Sequence, residues 1–444
     1  MKARLRKFLT SLADTFWLVP AAMTAAGIVL ALGMVAVDRS GVIPMSLLDN
    51  SWLYNGGGTG ARTLLGAVAS STIGVAGTVF SITIAALSLA AGQMGPRLLR
   101  NFTKDRGNQF TLGAFLGTFC YALMVLRTVR TQDEGIFVPH LSLTVSILLA
   151  FVCVATLVFF VGHMAGRINV DTVIALVSLD VQRAFGRIAV KERQPSPPPL
   201  SFWKEAAVIL DGRRGYLQQL DDTGLAEWAA DKGTAVRLLV RPGDFVFPGA
   251  PIALMTPPVD GAEEAIRDAT ALSAQRGSSA DIEFAVRQLV EVAVRALSPG
   301  INDPHTAVSV IDRFGAALCE LAPLHLPAGV LLHEGNPVLV VPAVGYDGLA
   351  DAMFHMIRQN AAGSAAVLIR LLDVLTAVTS CEHDPSRRAT LHRHADLVVG
   401  DAKRNISTPE DIQDITRRHS GFLAMKDHGP FGHLEALTQN APKK

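Results

Sequence analysis

Four long apolar stretches dominate the first part of the chain. They cover residues 17–37, 64–90, 110–126 and 141–161, and none of them contains a charged residue. A helix of about 20 apolar residues is long enough to cross the hydrocarbon core of a bilayer. The hydrophobic pattern therefore predicts four transmembrane helices, of which the third is short and the second has length to spare for tilt.

One face of the second predicted helix consists of small residues. These residues follow the alternating three-and-four spacing of a single helical stripe. They are Ser71, Gly74, Thr78, Ser81, Ala85, Ser88 and Gly92. Helices that pack closely in lipid select small residues at their contacts, but hydroxyl groups can also line a water-filled path for an ion or small solute. On the second interpretation, Ser71, Thr78, Ser81 and Ser88 are the pore-lining candidates.

Two further features of these stretches indicate how the helices contact their surroundings. On the opposite side of the second helix, Ile73, Phe80 and Leu87 suit contact with lipid. In the third helix, Gly113 and Gly117 form a Gly-x-x-x-Gly pattern, which is typical of close helix contacts.

Basic residues predict the orientation of the helices. Lys and Arg cluster before the first helix and again between the second and third, where Arg97, Arg100 and Lys104 are found. Because cytoplasmic loops carry an excess of Lys and Arg, both termini and the whole second half are expected in the cytoplasm. These three residues share one face of a short predicted helix, where they either anchor the loop to anionic head groups or form a basic collar that attracts anions.

The pattern beyond the fourth helix is that of a water-soluble domain. The predicted fold is therefore an integral membrane α-helical bundle of four transmembrane helices, joined to a cytoplasmic α+β domain with a small β-module plus helices. The predicted limits are a transmembrane domain at 1–165, a helical extension and Pro-rich linker at 166–200, a β-module at 201–258, a mainly helical domain at 259–424, and a tail at 425–444.

Composition narrows the classes of function. The chain has 444 residues with a formal net charge of +1, so no general attraction to nucleic acid is expected. The four cysteines are isolated from one another, which argues against a disulfide scaffold or a zinc knuckle. No Gly-x-Ser-x-Gly motif, paired-carboxylate signature or nucleotide fingerprint is present, so neither an enzyme nor a cofactor is predicted.

The loop between two predicted helices of the second half contains several polar residues in close succession. Its candidate functional residues are Asn302, Asp303, His305 and Thr306. Helix capping accounts for Asp303 and the following proline, because an aspartate before a proline is typical of a helix start. Alternatively, free backbone amides at a helix N-terminus form an anion site, which the other three side chains could complete.

A group of possible metal ligands lies further along the chain, but its spacing does not favour a metal. His392 and His394 are two residues apart on a predicted helix and therefore point to different sides. Catalytic zinc helices place two histidines four residues apart. A solvated, charged helix is the better interpretation, and no metal site is predicted.

Several long motifs of this chain are similar to those of one protein family. The motifs are residues 81–91, Gln93-x-Gly95-Pro96-Arg97-Leu98-Leu99-Arg100-Asn101-Phe102, Leu112-Gly113-x-Phe115-x-Gly117-Thr118-Phe119 with Leu126-Arg127, and Arg295-Ala296-Leu297-Ser298-Pro299-Gly300-Ile301-Asn302-Asp303-Pro304. They resemble the bacterial predicted membrane proteins known as domain of unknown function 2254, over about residues 61–424. Met94-Gly95 departs from the aromatic and small polar pair that the family usually has before Pro-Arg. The resemblance implies a membrane protein and brings no established activity.

The sequence favours an uncharacterised integral membrane protein that acts as an ion channel or small-solute transporter with a cytoplasmic regulatory domain. The alternative is a non-transporting membrane scaffold or sensor. We expect a multi-pass protein of the bacterial inner (plasma) membrane with both termini in the cytoplasm. The expected partners are the lipid bilayer, further copies of the chain in a homo-oligomer, and a small ion or anionic ligand.

Overall fold

The chain divides into two compact units. The computed structural model describes residues 16–40, 54, 56–95, 105–130, 137–277 and 281–439. One unit lies within residues 10–169 and contains the apolar helices, and the other lies within residues 170–444 and contains helices and sheets.

The described residues of the first unit form four helices that pack as a bundle. They are α1 (Leu18–Ser40), α2 (Gly58–Met94), α3 (Arg106–Leu126) and α4 (His140–Ile168). All four are long and apolar enough to cross a membrane, so the four predicted helices are confirmed as elements. Each is longer than its predicted stretch, because an apolar run marks what fits hydrocarbon while helical hydrogen bonding continues into the polar flanks.

Helix α3 lies at the centre of the bundle. It contacts α1, α2 and α4. The buried share of its most apolar 18-residue segment is 56%, compared with at most 28% for the same segment of the other three helices. Small residues allow this close packing: the Cβ that any other residue would place at Gly113 would lie 2.5 Å from the sulfur of Met23 on α1. At Gly117 an added Cβ would lie 3.0 Å from the carbonyl oxygen of Met23. The predicted Gly-x-x-x-Gly helix contact is therefore confirmed.

The second unit begins with one long helix and is mainly helical after residue 281. Helix α5 follows α4 after one extended residue, Asn169. The helices are α5 (Val170–Ile188), α6 (Asp222–Asp231), α7 (Ala262–Ala269), α8 (Ile282–Ala296), α9 (Pro304–Leu321), α10 (Tyr346–Asn360), α11 (Ala365–Cys381), α12 (Pro385–Asn405) and α13 (Pro409–Gln439), with a 3-10 turn at Leu200–Trp203.

Eight short strands form two sheets in the described part of this unit. They are β1 (Ala207–Asp211), β2 (Gly215–Leu220), β3 (Ala235–Leu238), β4 (Phe245–Val246), β5 (Ala250–Thr256), β6 (Thr270–Ser273), β7 (Val330–His333) and β8 (Asn336–Val340). The larger sheet has the order β1-β5-β3-β8-β7, and the smaller has the order β4-β2-β6. All neighbours are antiparallel except β3 and β8, which are parallel.

The larger sheet reaches beyond the predicted limits of the β-module. The hairpin β7-β8 adds to β3 and extends the sheet far past residue 258. A strand edge left open exposes unpaired amides and carbonyls, and β8 supplies the partner that β3 lacks on that side. The predicted domain limits remain predictions, but the larger sheet contains strands from the predicted β-module and from the predicted helical domain.

Helices α10 and α12 contact each other. Leu349, Met353 and Ile357 form a buried row on α10 at helical spacing. Polar side chains join the two helices, because Arg358 of α10 pairs with Asp401 of α12. His394 of α12 is also buried, and its ring faces Phe354 of α10.

Candidate functional site

The small stripe lies on the outer face of α2. Ser71, Thr78, Ser81 and Ser88 are all exposed in the isolated chain, and so is the glycine at position 92. The opposite face of α2 is buried against the bundle through Leu65, Ala69, Thr72, Ala76, Val79 and Thr83. Helix α2 contacts α3 and α4. The structure therefore brings the four hydroxyl residues together on one face, and that face is turned away from the described helices of the first unit.

The side opposite the stripe combines the packed face of α2 with exposed apolar residues at its flank. Ile73 and Phe80, which are predicted to suit contact with lipid, are exposed there. Leu87 is only half-buried. Periodicity places residues on one face of a helix, but it does not identify which face meets the neighbouring helices.

Two of the stripe hydroxyls donate hydrogen bonds to their own helix. Thr78 Oγ1 donates to the carbonyl oxygen of Gly74 at 3.2 Å, and Ser81 Oγ donates to that of Gly77 at 2.9 Å. These bonds satisfy the hydroxyl hydrogens, while the oxygen lone pairs remain able to accept from outside. The stripe can therefore meet either a dry helix surface or a hydrated path.

An apolar pocket lies at one edge of the stripe. Its volume is 280 Å³, and Ser71, Phe115, Cys153 and Leu157 contribute to its walls. Of the candidate pore residues, Ser71 thus borders an apolar surface formed by α2, α3 and α4. Such a surface suits a lipid chain or a packed side chain better than a column of water.

The predicted basic collar, Arg97, Arg100 and Lys104, lies outside the described residues. Asp105 directly follows the last of these basic residues. Its Oδ1 accepts a hydrogen bond from the Gly107 amide at 3.0 Å and so caps α3. Asp105 Oδ2 lies 2.6 Å from Nε2 of His163 on α4, and the aspartate side chain is only 4% exposed. A polar pair therefore joins α3 and α4 where the basic segment ends.

A second polar contact joins two helices at the other end of the bundle. Asp38 near the end of α1 caps the first turn of α4. Its Oδ1 accepts from the Leu141 amide at 3.1 Å, and its Oδ2 accepts from the Ser142 amide at 2.9 Å and the Ser142 hydroxyl at 2.6 Å. Reasoning from sequence missed Asp38, Asp105 and His163, although ionisable residues at the edges of apolar stretches are a signal for such contacts.

The polar loop of the second unit is a helix cap. Asn302 adopts a left-handed backbone conformation with a φ of 50°, and the chain then enters α9 at Pro304. Asp303 Oδ1 accepts from the Thr306 amide at 3.2 Å, and its Oδ2 accepts from the Thr306 hydroxyl at 2.6 Å. The Thr306 hydroxyl bond, together with the backbone amides, holds the pKa of Asp303 below its ordinary value.

This geometry limits what the loop can bind. The Asp303 carboxylate occupies the N-terminus of α9, where its negative charge interacts favourably with the helix dipole. An anion at this N-terminus would have to share it with that carboxylate. His305 is exposed next to the cap, and Asn302 is exposed as well. Capping thus explains Asp303 and Thr306, and the anion site remains a prediction.

The histidines considered for a metal point to different sides of α12, as predicted. His392 Nε2 lies 3.5 Å from Oδ2 of Asp396. The His392 ring is stacked on that of Phe422, with 6.0 Å between the ring centroids. His394 instead faces α10, where its ring lies 5.6 Å from that of Phe354.

Comparison with known proteins agrees with a membrane protein. The family of predicted membrane proteins known as domain of unknown function 2254 matches residues 13–377 of the chain. Uncharacterised proteins of Mycobacterium tuberculosis and Mycobacterium bovis are 32% identical to it over 425 residues, which is 93% of this chain and 80% of each relative. No solved structure matches the chain. The four apolar helices, the motifs around them and this match over most of the sequence show that the chain belongs to that family of predicted membrane proteins, whose function is unknown.

Proposed function

We propose that this protein is a channel or transporter for a small ion or solute in the bacterial inner membrane, with the second unit as its cytoplasmic regulatory domain. The observation that carries the proposal is the outward-facing stripe of α2, with Ser71, Thr78, Ser81 and Ser88 all exposed in the single chain. The proposed role is not that of an enzyme, and it needs no cofactor.

The stripe is a poor surface for lipid. Lipid-facing positions normally carry large apolar residues, whereas small residues allow helices to approach closely. Added methyl groups at Gly74 and Gly77 would meet nothing within 4 Å in the isolated chain, so these glycines make no close contact there. A further copy of the chain is the partner that would use them. A homo-oligomer that turns its α2 stripes toward a common axis would place the hydroxyl oxygens along a path.

The hydroxyls suit a small ion better than a proton. Rings of oxygen atoms can replace part of an ion's hydration shell, as channel filters do with carbonyl oxygens. The described part of α2 has no ionisable residue on the stripe that could relay protons. The basic segment that follows α2 in the sequence would then bias the path toward anions.

One observation favours the alternative, a non-transporting scaffold or sensor. Thr78 and Ser81 satisfy their hydrogens within α2, so the stripe can pack against another helix without any water. In that case the oligomer would have a dry seam where the channel has a path. The two proposals share the oligomer and differ in whether water reaches the stripe.

Ion flux through purified full-length protein in liposomes tests the proposal directly. We expect flux above that of protein-free liposomes, and its absence under all ion gradients would favour the scaffold. A second test uses Ser81→Cys in a Cys120→Ala, Cys153→Ala background with a water-soluble thiol reagent. The background protein alone measures the reaction of Cys319 and of the exposed Cys381.

The accessibility test has a matched control on the same helix. Ile73 is exposed at the flank of α2 and would face lipid, so Ile73→Cys should resist the reagent in either case. Modification of Ser81→Cys but not of Ile73→Cys supports a hydrated path. Protection of cysteines at positions 71, 78, 81 and 88 alike would eliminate it.

A further inference from the structure

Three side chains that can bind a metal meet between α10 and α12. Asp351 and His355 are four residues apart on α10 and therefore share one face of that helix. His394 reaches the same place from α12. Nε2 of each histidine lies 3.0 Å from Oδ1 of Asp351, and the three ligand atoms all lie within 4.8 Å of one another.

His394 is buried without a hydrogen-bond partner. The side chain is 1% exposed, and neither ring nitrogen makes a hydrogen bond within the described residues. The Asp351 oxygen is near enough to Nε2, but its direction is outside the range that a hydrogen bond requires. Leaving a buried polar group unpaired costs about 1–3 kcal/mol. Packing alone gives no reason for an imidazole at a position where an apolar residue would avoid this cost.

We propose that Asp351, His355 and His394 bind a divalent transition-metal ion of the Zn²⁺ class. Zinc binds imidazole nitrogen and carboxylate oxygen at about 2.0–2.2 Å, so neighbouring ligands of a tetrahedral ion lie about 3.3 Å apart. The two 3.0 Å separations match that spacing closely. Imidazole with one carboxylate selects zinc and its neighbours over magnesium or calcium, which prefer oxygen ligands.

The site has room for a further ligand. The side chains of Asp351 and His355 are 37% and 32% exposed, so one side of the cluster faces solvent. Three protein ligands leave the fourth tetrahedral position to water or to a bound small molecule, which is the arrangement of open zinc sites. The buried His394 closes the other side.

Arg393 competes with the ion for the carboxylate. Its Nη2 lies 2.6 Å from the same Oδ1 of Asp351. The Arg393 side chain is 43% exposed, and ion pairs at the surface contribute at most about 1 kcal/mol. A divalent ion on three ligands outweighs such a pair, so Arg393 turns toward solvent when the metal binds.

Zinc binding to the purified full-length protein in detergent tests this site. Protein stripped with a chelator is dialysed against micromolar Zn²⁺, and the bound metal is measured per chain. We expect one tightly held ion in the wild type and at least about a tenfold loss of affinity in His355→Gln and in His394→Gln. Replacing Zn²⁺ with Co²⁺ adds a visible absorption band whose intensity reports a tetrahedral environment.

His392→Gln is the matched control, because this residue is two positions from His394 and faces the other side of α12. It should bind zinc like the wild type. His355 is partly exposed, so His355→Gln tests the site even where His394→Gln reduces folding, which a circular dichroism spectrum detects. Equal binding by His355→Gln and His392→Gln, or no retained zinc in the wild type, would overturn the proposal.

Discussion

Gly27 of α1 and Gly117 of α3 lie directly against each other. A Cβ at Gly27 would overlap the carbonyl oxygen of Gly117, so the two backbones approach as closely as their atoms allow. Such a contact replaces side-chain packing with backbone packing, which is the geometry of small-residue motifs in lipid. It fixes α1 onto α3, the most buried of the four described helices of the first unit.

Gly27→Ala should therefore destabilise the bundle. The added methyl group has no space, and overpacking of this kind costs about 1–3 kcal/mol. Gly33→Ala on the same helix is the control, because a Cβ there meets nothing within 4 Å and alanine favours a helix by up to about 1 kcal/mol. Thermal unfolding of the purified protein, followed by helical circular dichroism, measures both. A Gly27→Ala protein as stable as Gly33→Ala would contradict the close contact.

Membrane topology is a separate prediction from the distribution of basic residues. A reporter that works only in the cytoplasm should be active when fused after Lys444, and it should be silent when inserted near Gly57 between α1 and α2. An enzyme that works only outside the cytoplasm should give the reverse pattern at the same two sites. The opposite pair of results would overturn the predicted orientation.

The basic collar predicts a change in ion selectivity. Arg97→Glu, alone or with Arg100→Glu, should leave folded protein in the membrane and shift the preference of the path from anions toward cations. The shift should be larger at low salt, because at about 0.1 M salt charges are screened beyond about 10 Å. Reversal potentials of reconstituted protein measure the preference.

Arg183→Glu is the control for this experiment, since the side chain of Arg183 is 72% exposed on α5 and belongs to the second unit. It should leave selectivity unchanged. If the double variant inserts normally and also keeps the wild-type selectivity, the basic residues act only as anchors to anionic head groups.

The Asp303 cap predicts a dependence of stability on pH. The pKa of Asp303 is lowered in the folded protein, chiefly by the Thr306 hydroxyl. The charged cap therefore stabilises the folded protein fully at any pH above the unfolded-state pKa of about 3.9. That contribution is lost as the pH falls through the lower folded value. Asp303→Ala should cost about 1 kcal/mol near neutral pH and much less in acid.

Thr306→Val tests the contribution of the hydroxyl to the pKa of Asp303. It removes the hydroxyl that donates to Asp303 at 2.6 Å but keeps the backbone amide that completes the cap. The pKa of Asp303 should then rise toward its ordinary value, so the loss of stability in acid should be smaller than in the wild type and complete at a higher pH. Melting temperatures measured between pH 6 and pH 3 distinguish the two curves. Identical curves would show that the hydroxyl bond has no influence.

The sites of the second unit show where reasoning from sequence alone reaches its limit. Asp351 and His355 lie four residues apart along the chain, but nothing in the sequence places His394 beside them. The cap at Asp303 needed only a local rule, because its partner Thr306 is three residues away. A local pattern is sufficient when both partners lie within one turn, and it fails when they belong to different helices.

The amino-acid sequence determined the four apolar helices, the Gly113 and Gly117 contact, and the membership of a membrane protein family, because helix length, small-residue spacing and long motifs are all local properties. It also placed Ser71, Thr78, Ser81 and Ser88 on one face. Only the tertiary structure decided that this face points outward, that β8 completes a sheet with β3, and that His394 is buried against α10. The reason is physical: periodicity defines the faces of an element, but which face is buried depends on the free energy of packing against elements far away in the chain.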